Sequence, residues 1–304
     1  MALELALIQM VSSPSVADNL RQARALLAQA AADGAELAVL PEYFCLLGQS
    51  DADKLAHAER EGQGPIQAAL AEAARDLGLW LVGGTLPLAS ADPGRVRNAC
   101  IVYRPDGHQV ARYDKIHLFA FDNGRERYDE SRTIEAGAHP VCFDLETRAG
   151  ECWRVGLSVC YDLRFPELYR GLAAEGAQLL LVPSAFTHTT GRAHWETLLR
   201  ARAIENLAFV GAPAQGGLHA NGRRTWGHTL VADPWGEVIA CREEEGAGVL
   251  RARLDLERLA QSRQQLPALA HRVLGVAPGP AAAAVTAATV AAAVAAAVVS
   301  PARP

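Results

Sequence analysis

The alternation of short apolar segments with amphipathic segments of helical period restricts the fold of this chain more than any other feature. Residues 4–10 have the pattern of a strand, residues 16–32 carry apolar side chains at helical spacing, and residues 35–40 form a second strand. These segments predict a βαβ unit. The same alternation predicts strands at 79–85, 154–160, 178–182 and 207–212 and helices at 65–77, 166–174 and 194–205. The fold class is therefore α/β, with buried sheets covered by helices.

Predicted hairpins indicate that the sheets are mixed rather than purely parallel. Segments 225–232 and 237–241 flank the turn Asp233-Pro234-Trp235-Gly236, and an earlier hairpin is centred on Pro105-Asp106-Gly107. The strands of a hairpin are antiparallel, whereas those of a βαβ unit are parallel. Both kinds of pairing are therefore expected in this fold.

By composition the chain divides into one long domain and a short tail. No long linker rich in glycine, proline or serine interrupts residues 1–270, and we predict a single domain over residues 1–275. Residues 276–304 contain 14 alanines and 6 valines, with Arg303 as their only charged residue. The uncharged stretch 281–299 is long enough to cross a bilayer. Because alanine contributes little to insertion, we favour a low-complexity helix or disordered appendage over a membrane span.

Charge and cysteine content exclude several classes of protein. The chain has 29 Lys and Arg against 34 Asp and Glu, and a net charge of −5 argues against an electrostatic nucleic-acid binder. No two of the six cysteines are separated by only two residues, so neither a zinc ribbon nor a dithiol pair is indicated. The first apolar run, residues 5–8, has no basic segment before it. We therefore expect a cytoplasmic protein with reduced thiols, no metal and no membrane partner.

Three reactive side chains lie where predicted strands end. Glu42 follows the strand at 35–40, Lys115 follows a strand through residues 110–113, and Cys160 ends the strand at 154–160. In open α/β sheets, functional groups collect at the carboxyl ends of strands. Taken singly, each has a simpler explanation, namely a solvated surface charge or a small core cysteine.

Cys160 is distinguished by the turn that follows it, which leads into a helix beginning at Pro166. Backbone N–H groups at such a turn favour a thiolate and can bind an oxyanion. A cysteine that attacks an amide also needs a base, an oxyanion stabiliser and a proton for the leaving amine. Glu42 and Lys115 supply these chemical types. We therefore predict Cys160 as a nucleophile and Ser158, inside the strand, as a packing residue.

Three ordered segments resemble the signatures of the nitrilase superfamily of carbon–nitrogen hydrolases. They are Pro41-Glu42, Lys115-Ile116-His117-Leu118 and Cys160-Tyr161-Asp162-Leu163-Arg164-Phe165-Pro166-Glu167. The resemblance continues through later segments such as Ser184-Ala185-Phe186 and Trp226-Gly227-His228, covers roughly residues 4–272, and is strongest to the Nit branch. It implies a four-layer α-β-β-α sandwich with two mixed sheets, and a homodimer formed through helices near the cysteine.

The resemblance also implies a role for each catalytic residue. Glu42 would be the general base, Lys115 the oxyanion stabiliser and Cys160 the nucleophile. Glu130 matches a second family glutamate that orients the lysine and the substrate, although a solvated loop carboxylate is an equally simple interpretation. The backbone N–H of Tyr161 would complete the oxyanion hole. No cofactor is implied.

The implied substrate is a small amide that carries a carboxylate. Arg164 stands just after the nucleophile and suits that carboxylate, unless it pairs with Glu167 instead. Tyr43, Thr187 and Thr189 are further candidates for the substrate pocket.

Among substrates of this branch, we favour deaminated glutathione. Alternatives that remain are α-ketoglutaramate, an N-carbamoyl amino acid and a nitrile. Two other classes of protein also remain open, namely a non-catalytic binding protein of the same fold and a metal-dependent amidohydrolase.

Overall fold

Strands and helices alternate along the chain, as predicted. The structure is a computed structural model that describes residues 2–124 and 127–274. The strands are β1 (Ala2–Gln9), β2 (Leu37–Val39), β3 (Trp80–Val82), β4 (Leu86–Ala89), β5 (Val96–Tyr103), β6 (Gln109–Asp114), β7 (Ala120–Asp122), β8 (Arg127–Asp129), β9 (Val141–Glu146), β10 (Cys152–Leu157), β11 (Leu179–Leu181), β12 (Phe209–Ala212), β13 (Gly216–Leu218), β14 (Arg224–Trp226), β15 (Thr229–Ala232), β16 (Val238–Arg242) and β17 (Gly248–Asp255). The helices are α1 (Val16–Ala32), α2 (Asp53–Ala56), α3 (Pro65–Leu77), α4 (Pro166–Ala174), α5 (His188–Asn206) and α6 (Leu256–Gln265), with short 3₁₀ helices at Glu130–Arg132 and Cys160–Arg164.

Most of the strands belong to two mixed sheets. The first has the order β17-β1-β2-β3-β5-β4, with β6 also paired to β5, and the second has the order β16-β15-β12-β11-β10-β9. At the centre of each sheet three strands run parallel, β1-β2-β3 in the first and β10-β11-β12 in the second. The flanking pairs are antiparallel. The prediction of mixed sheets is confirmed.

Strand β1 illustrates how the layers arise from the sequence. Leu5 and Leu7 point toward the second sheet, where their side chains reach Gly211 of β12. Ala6 and Ile8 point the other way, into the core shared with helices α1 and α3. Successive residues of a strand face opposite sides, so one apolar strand fills both cores. Helices α4 and α5 cover the second sheet, which completes the predicted α-β-β-α sandwich.

Two predicted strands end three residues earlier than expected, and each ends close to a loop of the site described below. The strand predicted at 154–160 ends at Leu157, because Cys160 has a left-handed φ of 50° and opens a 3₁₀ helix. The strand predicted at 79–85 ends at Val82. Gly84 follows with φ 56°, and any Cβ there would lie only 2.1 Å from the Pro41 carbonyl oxygen. Only glycine fits so close to the loop that carries Glu42.

Other predicted boundaries changed for local reasons. The helix predicted to begin at residue 194 begins at His188, where the Thr187 side chain accepts the Thr190 N–H as an N-cap. The strand predicted at 225–232 is split into β14 and β15, because Gly227 and His228 have φ values of 69° and 54°. Strands β4, β9 and β17 of the two main sheets and helix α6 were not predicted from the sequence, nor were the short elements α2, β7, β8 and β13.

The C-terminal tail predicted at residues 276–304 lies outside the described residues, so the domain boundary at residue 275 stays a prediction. The described residues up to His271 form one compact unit. Within ranges 2–124 and 127–274, no helix is long and apolar enough to cross a membrane.

Candidate active site

The three reactive side chains singled out in the sequence meet in one buried cluster. Glu42 lies in the loop after β2, Lys115 directly follows β6, and Cys160 lies in the loop after β10. Two of these strands belong to the first sheet and the third to the second. All three side chains are buried. The cluster therefore depends on the packing of one sheet against the other.

Glu42 is the centre of this cluster. Its Oε1 accepts hydrogen bonds from Lys115 Nζ at 2.8 Å and from Asn98 Nδ2 at 3.0 Å. Its Oε2 accepts the backbone N–H of Ala185 at 3.0 Å, and Glu42 and Cys160 line the same cavity. The carboxylate is therefore held in one orientation beside the sulfur, as a base requires.

Glu130 is not a solvated loop carboxylate. Its side chain is only 13% exposed and lies 2.8 Å from Lys115 Nζ. Tyr43 donates its hydroxyl to Oε1 at 2.7 Å, and the Phe119 N–H donates to Oε2 at 2.7 Å. Lys115 is consequently clamped between two carboxylates, those of Glu42 and Glu130.

Burial and charge act on these groups in different directions. Burial raises the pKa of Glu42, and the Glu130 charge adds to this, while Lys115 opposes it. Burial alone would lower the pKa of Lys115, but the two carboxylates raise it well above its usual value. The pKa of Glu130 is lowered despite burial, because Lys115, Phe119 N–H and Tyr43 stabilise its charge. Lys115 is thus a fixed cation, and Glu42 is the carboxylate that takes up a proton more readily.

The expectation that the turn stabilises a Cys160 thiolate is wrong for this site. Burial and the neighbouring Glu42 charge raise the pKa of Cys160 well above its usual value, and Lys115 offsets this only in part. The Cys160 N–H is also used, because it donates to the Pro183 carbonyl oxygen. The resting sulfur is therefore a thiol with a base beside it, rather than a preformed thiolate.

The predicted substrate-binding residues are only partly brought together. A cavity beside the Cys160 sulfur is lined by Tyr43, Tyr161, Arg164 and Thr187 among others. Thr189 is exposed and does not line it; Thr190 does.

Arg164 does not pair with Glu167 as the alternative interpretation required. Its guanidinium lies 5.7 Å from the Tyr161 ring centre and 5.4 Å from that of Phe186, and it contacts His194 Nδ1 at 3.2 Å. Among the described residues no carboxylate lies within ion-pair distance of Arg164.

Asp162 is a residue of the site that the sequence analysis missed. Its buried carboxyl group accepts the Val159 N–H at 2.8 Å and the Tyr113 hydroxyl at 2.7 Å on one oxygen. On the other oxygen it accepts the His117 N–H at 3.0 Å and contacts His117 Nδ1 at 2.7 Å. Asp162 therefore ties the Cys160 loop to the Lys115 loop. The sequence did contain a signal for Asp162, because it is a charged residue two positions after Cys160 in a segment that must be buried.

Asn98 was missed as well, although it left a weaker signal. It is the amide of an otherwise mostly apolar strand, β5, and a polar side chain in such a strand has to find a buried partner. No cluster of three or more His, Cys, Asp or Glu suited to a metal ion occurs within residues 2–124 and 127–274.

Comparison with known proteins gives a consistent result. A family model described as carbon–nitrogen hydrolase matches residues 4–264. The deaminated glutathione amidase of Yersinia enterocolitica is 40% identical over 270 residues, which are 88% of this chain and 92% of that protein. The omega-amidase NIT2 of Homo sapiens is 39% identical over 264 residues, covering 86% and 92%.

A solved structure agrees with these sequence matches. The crystal structure of the C. elegans NitFhit protein matches with a TM-score of 0.81 and 36% identity, over 90% of this chain and 66% of that chain. The chain therefore belongs to the carbon–nitrogen hydrolase family, in the Nit branch of the nitrilase superfamily, and is a cysteine-dependent amidase acting on carbon–nitrogen bonds other than peptide bonds.

Proposed function

We propose that this protein hydrolyses deaminated glutathione, with Cys160 as the nucleophile and a thioester on its sulfur as the intermediate. The observation that carries the proposal is geometric: the Cys160 thiol lines one cavity with Glu42, a buried carboxylate that also holds Lys115 at 2.8 Å and whose pKa is raised by burial. A thiol beside a base of raised pKa can lose its proton only as the carbon–sulfur bond forms. That arrangement suits attack on an amide carbonyl.

In the first half-reaction, Glu42 accepts the thiol proton while the sulfur attacks the amide carbon. The carbonyl oxygen becomes an oxyanion, which Lys115 and the Tyr161 N–H stabilise. Lys115 has three N–H groups, and its Nζ lies 2.8 Å from Glu42 Oε1 and 2.8 and 3.1 Å from the two Glu130 oxygens. The oxyanion would therefore share with Glu130 an N–H group of this lysine. Within the described part of the chain, the Tyr161 N–H donates to no other acceptor. When the tetrahedral intermediate collapses, protonated Glu42 passes its proton to the leaving amine.

In the second half-reaction, water replaces the amine. Glu42, again unprotonated, accepts a proton from water as the oxygen attacks the thioester carbon. The carbon–sulfur bond then breaks, the sulfur regains the proton from Glu42, and the acid product leaves. Deaminated glutathione would give α-ketoglutarate and cysteinylglycine, whereas a primary amide would give ammonia.

Glu130 acts in this scheme on the lysine rather than on the substrate carbon. It keeps Lys115 charged and in place through a 2.8 Å contact, and it is itself held by Tyr43 and the Phe119 N–H. A second buried carboxylate also raises the pKa of Glu42, which makes that base stronger.

Arg164 is the proposed partner for the α-keto acid carboxylate. It lines the Cys160 cavity, its guanidinium is stacked near two aromatic rings, and it has no carboxylate partner among the described residues. A substrate carboxylate would supply that partner. Tyr43 and Thr187 are proposed to line the pocket, while the Thr187 hydroxyl is already engaged as the cap of α5.

Hydrolysis of α-ketoglutaramate is the second candidate activity. Its support is the 39% identity to omega-amidase NIT2, and its acyl part is the same as that of deaminated glutathione. Both substrates would therefore leave the same thioester on Cys160.

We also propose that the protein is a cytoplasmic homodimer whose catalytic domain, residues 1–275, precedes a low-complexity tail. All six cysteines are free thiols, which suits a reducing compartment. On helix α5 and the adjoining turn, Ile204 and Trp235 are 46% and 48% exposed. An apolar patch of this kind on the helix layer is suited to contact with a second copy.

The proposed reaction is tested by comparing wild type with Cys160→Ala on a panel of substrates. The panel contains deaminated glutathione, α-ketoglutaramate, an N-carbamoyl amino acid and a nitrile, each assayed for amine or ammonia release. We expect the wild type to prefer deaminated glutathione and Cys160→Ala to be inactive on all four. Full activity of the variant would refute the role of Cys160, and preference for another substrate would refute the proposed function. Cys241→Ala, which alters a partly buried thiol outside the site, is the control.

A further inference from the structure

The cavity beside Cys160 adjoins a second chamber on the side of Glu130. Tyr43, Phe119, Glu130 and Arg223 line both spaces, so the two adjoin each other. The second chamber is bounded in addition by Lys54 and Tyr128. A substrate whose amide carbon meets the Cys160 sulfur would therefore have Arg164 beside it and this chamber next to its cavity.

Two cations line the chamber without being fully neutralised. The guanidinium of Arg223 lies 4.9 Å from the centre of the Tyr128 ring, and no described carboxylate is within ion-pair distance of it. The Lys54 side chain is only 14% exposed, and its Nζ lies 3.9 Å from an Asp51 oxygen and 5.5 Å from the Tyr43 ring centre. Burial lowers the pKa of Lys54. A buried cation with so distant a counter-ion gains stability when an anion binds beside it.

The acidic groups of the chamber are already engaged. Glu130 is paired with Lys115 at 2.8 Å, and Asp51 is the distant partner of Lys54. Asp129 accepts the Ser131 N–H at the start of a 3₁₀ helix. Within residues 2–124 and 127–274, these contacts leave no carboxylate of the chamber paired with Arg223. The next residue, Arg224, differs in that it points to the surface and pairs with Glu245.

We propose that Arg223, assisted by Lys54, binds a carboxylate on the leaving amine of the substrate. This rests on the proposed function, in which Arg164 holds the carboxylate of the acyl part. The site would then recognise an amide with one carboxylate on each side of the scissile bond. Deaminated glutathione has that form, because its leaving group, cysteinylglycine, ends in a carboxylate. α-Ketoglutaramate has nothing to place in the second chamber, since its leaving group is ammonia.

The test compares three amides of α-ketoglutarate that share the same acyl group. They are deaminated glutathione, its C-terminal carboxamide, and α-ketoglutaramate, and kcat/KM is measured from the release of α-ketoglutarate. Wild type, Arg223→Gln and the matched control Arg224→Gln are compared. Circular dichroism and thermal unfolding show whether each variant is folded.

For the wild type we expect kcat/KM to be at least tenfold higher for deaminated glutathione than for its carboxamide. Arg223→Gln should reduce the ratio of kcat/KM for deaminated glutathione to that for α-ketoglutaramate by at least tenfold, mainly through KM, whereas Arg224→Gln should change it less than twofold. Equal losses on all three amides would overturn the inference, because they would indicate a general effect on the site. An unchanged ratio would overturn it too. Failure of the wild type to cleave any of the three would instead refute the proposed function.

Discussion

Replacing Asp162 by asparagine tests whether one buried carboxyl group holds the two catalytic loops together. Asp162 accepts bonds from Val159 N–H and the Tyr113 hydroxyl on one oxygen, and it meets His117 N–H and Nδ1 on the other. The asparagine amide keeps only one oxygen, so its NH₂ must face one of these pairs. The Tyr113 hydroxyl and the His117 ring can turn to accept, but a backbone N–H cannot. At least one buried N–H therefore loses its acceptor.

The magnitude follows from that loss. An unpaired buried donor costs about 1–3 kcal/mol, and hydrogen bonds to a charged group contribute about 1.5–3 kcal/mol, part of which is lost with the charge. We expect Asp162→Asn to lower the free energy of unfolding by about 2–4 kcal/mol. We also expect kcat to fall more than tenfold with little change in KM, because Lys115 and Cys160 would no longer be held in register.

Two assays are needed. Urea unfolding at equal protein concentration is monitored by tryptophan fluorescence, and steady-state kinetics are measured on the preferred amide. Asp144→Asn is the control. Asp144 pairs with Arg154 at 3.1 Å on the surface, and its side chain is 69% exposed, so its loss should cost less than about 1 kcal/mol. If the two variants lose the same stability, or if Asp162→Asn keeps full kcat, then Asp162 does not position these loops.

Three further results are expected. Glu42 must be unprotonated to act, so kcat/KM should fall as pH drops through its pKa, which lies above the usual 4.5; a midpoint at or below 4.5 would contradict this. Glu130→Gln removes a charge that raises this pKa, so a pH–rate profile should show that midpoint shifted to lower pH, with reduced kcat. Gly84→Ala should lower the free energy of unfolding, measured by urea unfolding, by about 2–4 kcal/mol, because the new Cβ strains φ and collides with Pro41. Gly34→Ala is the control: it has open space around it and should lower the free energy of unfolding by only about 1–2 kcal/mol.

The repeating pattern of the chain was enough to predict helices α1, α3 and α4 with their observed ends. Local signals explain this success, because apolar residues at helical spacing, Pro65 and Pro166 at helix starts, and Gly78 after a helix end act within a few residues. The prediction of strand ends failed more often. Residues 158–160 and 83–85 continue the strand pattern in sequence, and they leave the sheet because Cys160 and Gly84 adopt left-handed backbone conformations.

The site could likewise be predicted only as far as local sequence signals reach. The order of Glu42, Lys115 and Cys160 along the chain, each following an apolar strand, was sufficient to nominate them as reactive groups. Their mutual distances, and hence the raised pKa values of Glu42 and Cys160, arise only when two sheets pack and exclude water. The thiolate expectation failed for this reason, since the turn is local whereas burial and the Glu42 charge come from elsewhere in the fold.

A single sequence could not predict the contacts of three residues, Asp162, Asn98 and Arg223. Asp162 bonds to His117 and Asn98 to Glu42 across sequence separations of 45 and 56 residues. Arg223 and Arg224 are neighbours of the same chemical type, yet one lines the cavity and the other forms a surface ion pair. Local periodicity indicated an α/β fold, and three ordered motifs indicated the fold family and nominated Cys160 as the nucleophile. Only the tertiary structure decided which hydrogen-bond partners meet, which groups lose water, and that Arg223 lines the cavity. These properties depend on segments that meet only after folding.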